Sequence, residues 1–175
     1  MKTFNYLSGL LVCSCVAVMV GCSDTSTMPS STSTATLTTD LLTSNEIPPV
    51  TGTEASASGT ARLTFNLSKD SGGTITSATM DATVSATGLP PGTVLTASHI
   101  HTGATGTNGG ILVSLGLTDG EVAFSNGGGS FTKRGIAVPV DQVNSILANP
   151  AGFYLNIHTV ANAGGVARGQ LTRVQ

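Results

Sequence analysis

The chain has 175 residues and few charges, seven Lys and Arg against nine Asp and Glu, for a formal net charge of −2. Beyond Lys2, six cations face nine acids with no basic run, which argues against a nucleic-acid partner. There is no tryptophan and aromatics make up 4% of the chain, so a set of exposed rings for gripping a glycan is not expected either.

The first element is a secretory signal over residues 1–21: Lys2, an apolar stretch over residues 6–20, then Gly21-Cys22 and an abrupt change to Ser23-Asp24-Thr25. The stretch is too short and wrongly flanked for a spanning helix. Met19-Val20-Gly21-Cys22 resembles the lipobox of bacterial lipoproteins, with Met19 in place of the usual leucine. That resemblance implies cleavage before Cys22 and lipidation of its sulfur. Cys15 is the rival acceptor, but cleavage there leaves an apolar mature start at residues 16–20. Ser23 after the cysteine resembles lipoproteins sent on to the outer membrane of a Gram-negative host. Cys13 and Cys15 leave with the signal and Cys22 carries the anchor, so the exported domain is expected to have no disulfide and to rely on core burial. Residues 22–36, almost wholly Ser and Thr after the cysteine, read as a flexible tether.

From residue 37 onward, β-formers are broken at short intervals by turn signals, the pattern of an all-β sandwich or barrel. Ala61, Leu63, Phe65 and Leu67 alternate with Arg62, Thr64 and Asn66, giving a strand with one apolar face. Met80, Ala82, Val84 and Ala86 repeat the pattern until Gly88-Leu89-Pro90-Pro91-Gly92 stops it. A strand over residues 94–101 follows, then an apolar run over 111–117. Asp119-Gly120 predicts a hairpin from that run into Glu121-Val122-Ala123-Phe124. One helix is predicted over 141–147, with Asp141 as its cap and Val143, Ile146 and Leu147 as its apolar stripe. Strands over 153–159 and 166–174 complete the domain, residues 37–175.

All three histidines fall in strand-like segments, Ser98-His99-Ile100-His101-Thr102 and Asn156-Ile157-His158-Thr159. At strand spacing His99 and His101 share a face, with backbones roughly 7 Å apart. On the later strand Tyr154, Asn156 and His158 lie opposite the apolar face of Phe153, Leu155 and Ile157. Pairing of the two strands would gather three imidazoles and an amide. Such a set could ligate one copper or zinc ion, or could hydrogen-bond strand ends and bind nothing.

These segments resemble a known family. His99-Ile100-His101-Thr102-Gly103 with Asn108-Gly109, then Tyr154-Leu155-Asn156-Ile157-His158-Thr159, Arg168-Gly169-Gln170-Leu171 and the opening Asn45-Glu46-Ile47-Pro48-Pro49-Val50 are similar to motifs of the CHRD domain, named for chordin. The resemblance runs over residues 37–174. It implies an extracytoplasmic, immunoglobulin-like β-sandwich of mostly uncharacterised activity, and it marks Glu46, Asn108, Asn156, Thr159, Arg168 and Gln170 as family-motif polar residues. The family's acid before Arg168 is replaced by Val166, which leaves Glu46 as the motif's carboxylate, expected to pair with Arg168 or, alternatively, to accept from a histidine.

The expected protein is therefore an all-β, Greek-key, immunoglobulin-like β-sandwich with one short helix, held outside the cytoplasm on the membrane by Cys22. The first functional reading is a non-enzymatic binding or envelope-structural module, with an envelope or extracellular protein as partner. The alternative is a mononuclear copper or zinc domain, redox active, built on His99, His101 and His158. Hydrolytic chemistry finds no G-x-S-x-G elbow or cysteine nucleophile. The H-x-H strand is similar to one in copper/zinc superoxide dismutase, but that dinuclear site needs more histidines than the three present.

Overall fold

The computed structural model describes residues 30–174, together with Met1 and Thr3 at the start of the chain. The rest of the expected signal segment, Cys22 and the first part of the expected tether lie outside the described residues. Among the described residues no helix is long and apolar enough to cross a membrane.

The expected all-β, sandwich-like architecture is present, with one short α-helix. The strands are β1 (Ser31–Leu42), β2 (Ser58–Lys69), β3 (Ile75–Thr87), β4 (Thr93–Thr102), β5 (Ile111–Ser114), β6 (Val122–Phe124), β7 (Gly129–Ala137), β8 (Phe153–Thr159), β9 (Ala167–Gln170) and β10 (Thr172–Arg173). All pair antiparallel in the order β5-β4-β8-β9-β1-β2-β3-β7, with β6 added to β4 and β10 to β1. Helix α1 (Val140–Ala148) contributes Val143 and Ile146 to the core. Its N-cap is Pro139, and Asp141 lies inside the first turn, where a carboxylate favours the helix dipole without capping it.

The alternating strands bury the predicted face. Ala61, Leu63, Phe65 and Leu67 of β2 and Met80, Ala82, Val84 and Ala86 of β3 are all buried, and their polar neighbours face away. Ile100 of β4 and Leu155 and Ile157 of β8 join them in one apolar cluster.

Two expectations are corrected. Residues 31–36, assigned by composition to the tether, form the first half of β1 and pair in register with β2 from Ser31↔Lys69 onward, burying Ala35 and Thr36. Threonine is a strand former, and a preformed partner supplies the pairing that a free Ser/Thr segment lacks. The Asp119-Gly120 turn does form, with Glu121 N–H donating to the Thr118 carbonyl, but it does not close a hairpin. β5 and β6 both pair with β4, through His99↔Ser114 and Leu95↔Val122, and so follow one another along a single edge of it. The turn residues dictate a local bend, and the long β4 supplies the partner for both segments.

Candidate functional site

Strand β8 is buried on both faces, because the apolar cluster covers one side and a polar layer roofed by residues 43–57 covers the other. The polar layer is built from cross-strand rows. His99 of β4 lies opposite Asn156 of β8, and Asn156 lies opposite Arg168 of β9; in the next row His101, Tyr154 and Gln170 align in the same way. His158 sits opposite Ala97, on the same face as Asn156. A period of two on each strand and antiparallel register are enough to bring the three histidines together. One ring nitrogen from each lies within 4.8 Å of the others, the convergence that the strand pairing predicted.

The roof is tied down by charged and amide side chains. Arg168 donates through Nε to the Asn45 carbonyl at 2.6 Å and through Nη1 to Asn108 Oδ1 at 2.7 Å, while Asn108 Nδ2 donates to the Ile47 carbonyl. Gln170 Nε2 donates to the Gly103 and Ala151 carbonyls. Thr159 Oγ1 and Asn162 Nδ2 both donate to Glu54 Oε2, at 2.6 and 2.5 Å. Glu54 is a buried acid that no motif or periodicity points to, since it lies in the short turn of residues 52–54.

Each histidine has a defined polar environment. His101 Nδ1 lies 3.0 Å from the Gly109 carbonyl and His158 Nδ1 2.9 Å from the Ala163 carbonyl. A carbonyl only accepts, so both Nδ1 atoms carry the proton, and in the Nδ1–H tautomer Nε2 is the acceptor. His158 Nε2 lies 3.1 Å from His99 Nδ1 and 2.9 Å from Asn156 Oδ1. His101 Nε2 has no partner at all, although its ring stacks on Tyr154 with centroids 4.9 Å apart and planes at 4°. The guanidinium of Arg168, on the strand flanking β8 from the other side, lies 4.5 Å from the centre of the same tyrosine ring. Tyr154 thus spaces His101 from Arg168, a role that its place on the histidine face allows but does not reveal.

The expected pairing of Glu46 with Arg168 is present at 3.9 Å, longer than a hydrogen bond. Glu46 Oε1 has no partner. Burial pushes this carboxyl up to about 7, against the opposing pull of Arg168. Val166, at the position of the family's acid, is fully buried in the apolar cluster. The imidazoles move the other way. Burial, then the neighbouring His158 and His101, push His99 down to about 4, and burial lowers His158 despite its bond to the Ala163 carbonyl. Both rings are therefore held neutral, the form that ligates metal.

Among the described residues, three buried side-chain polar atoms lack a hydrogen-bond partner: Ser33 Oγ, Glu46 Oε1 and His101 Nε2. Two of the three belong to this layer. Buried nitrogens and oxygens that accept and find no donor are what a bound cation satisfies.

In comparison with known proteins, the family model described as the CHRD domain matches residues 37–171, the span that holds every residue of this layer. No curated protein and no solved structure matches the chain.

Proposed function

Since the chain belongs to the CHRD domain family, we propose that it is an exported, lipid-anchored member whose domain binds a single copper or zinc ion through His99, His101 and His158. The reading rests on one observation: the Nδ1 protons of His101 and His158 are committed to backbone carbonyls, so two acceptor Nε2 atoms face the cluster with one histidine left to supply a proton. A hydrogen-bonded cluster needs a donor for each acceptor, whereas a metal ion needs the lone pairs that are left over. Nitrogens bonded to an ion at about 2.0–2.1 Å stand roughly 2.8–3.4 Å apart, and the His99–His158 pair is at 3.1 Å. The ligand nitrogens of all three histidines lie within 4.8 Å of one another.

Among the described residues nothing outside the histidines resembles a nucleophile or an acid–base pair, and the role that this favours is binding without catalysis. Cys22 carries the lipid, and residues 23–30 link it to β1. Metal analysis of untagged full-length protein tests the reading. About one equivalent of copper or zinc is expected in the wild type and little in His101→Ala; equal metal in the two would refute it. Loss of lipid label in Cys22→Ser checks the anchor, and persistence of the label would move the acylation elsewhere.

A further inference from the structure

The same cluster contains a fourth acceptor. Asn156 is buried beneath the roof, directly across from His99, and its Oδ1 lies 2.9 Å from His158 Nε2. Because His158 Nδ1 holds the proton, two acceptors face each other at that distance, an unfavourable arrangement unless something positive lies between them. The separations around His158 Nε2, 2.9 Å to the amide oxygen and 3.1 Å to His99 Nδ1, both fit edges of the coordination polyhedron of one small ion.

The amide lies between the histidines and Gly165. A Cβ on Gly165 would lie 2.9 Å from Asn156 Nδ2 and 2.5 Å from Glu46 Oε1, so the nitrogen end of the amide borders that glycine while its oxygen end faces His158. Gly165, at φ +135°, leaves room for both side chains, which make no hydrogen bond to each other.

Building on the three-histidine reading, we infer that Asn156 Oδ1 is the fourth ligand of the ion, which closes the site. A four-coordinate site made wholly from protein ligands has no position for water or substrate; it is a structural staple between β4 and β8.

Cobalt(II) loaded into the metal-free full-length chain provides the test. The wild type is expected to bind one equivalent with the intense visible bands of four-coordinate cobalt, unchanged by added azide. Asn156→Ala should bind about 10- to 100-fold more weakly and respond to azide. A wild-type spectrum that shifts with azide would overturn the inference, and this measurement needs no variant to fold. So would wild-type affinity in folded Asn156→Ala. In either case, uptake that is lost in His101→Ala keeps the three-histidine reading intact. No uptake by the wild type would defeat that reading and the inference with it.

Discussion

Replacement of Glu46 by glutamine separates stability from metal binding. The carboxyl is 5% exposed, its Oε1 has no partner, and its pKa rises from 4.5 to about 7. The folded protein therefore holds this proton more tightly than the unfolded chain does. Stability from the group is fully present below about pH 4.5 and is lost as pH rises through 7. The rise corresponds to about 3 kcal/mol at pH 8 before solvent screening, with the pull of Arg168 already included. Glutamine has nearly the same shape and does not titrate. In the presence of a chelator, Glu46→Gln should match the wild type within about 1 kcal/mol at pH 4 and exceed it by roughly 2–3 kcal/mol at pH 8. Urea unfolding of both proteins across that range measures the difference, and the histidine contributions, common to both, cancel. Two curves that run parallel from pH 4 to pH 8 would refute the burial argument.

Other consequences follow from the same layer and from the core. The depressed pKa of His99 means that its contribution to stability is present above about 6.5 and falls away as the pH drops towards 4; NMR of the metal-free protein should show this ring titrating near 4, and a midpoint near 6.5 would contradict its burial. Gly165→Ala places a methyl group against Glu46 and Asn156 at a backbone angle that suits glycine, so a loss of about 2–4 kcal/mol is expected in thermal unfolding. A loss below about 1 kcal/mol would mean that the roof yields easily. Phe65→Ala, at a fully buried site in β2, should cost about 3–5 kcal/mol, and a smaller change would show that the core collapses around the gap.

The alternation in β2 and β3 was readable because each side chain's face is fixed by a period of two and one face meets only apolar neighbours. The histidine cluster was readable for the same reason, since H-x-H on one strand and N-x-H on the other project to one side wherever the strands pair. Pairing partners are a different matter. Asp119-Gly120 specifies a bend, but which strand receives Val122 to Phe124 depends on the free edge of β4, a property of the assembled sheet. Threonine-rich residues 31–36 carry no apolar alternation, and their order comes from β2. Glu46 was legible as a partner of Arg168, yet the fate of its second oxygen depends on the glycine turn that brings Gly165 beside it. Glu54 lacks any sequence signal because its partners, Thr159 and Asn162, lie more than a hundred residues away.

The position of β1 bears on how the chain acquires its structure. The first described strand in chain order is an interior strand of the sheet, with β2 along one edge and β9 and β10, the last described strands, along the other. Until residues 167–173 arrive, β1 keeps an open edge and β8 lacks its second neighbour, so a chain missing its C-terminus exposes two unpaired ladders. The meander of β1, β2, β3 and β7 can form early from near neighbours, while the half that carries the histidines waits for closure across the whole length of the chain. The sheet therefore closes only once residues 167–173 are in place, and its histidine half forms later than the meander.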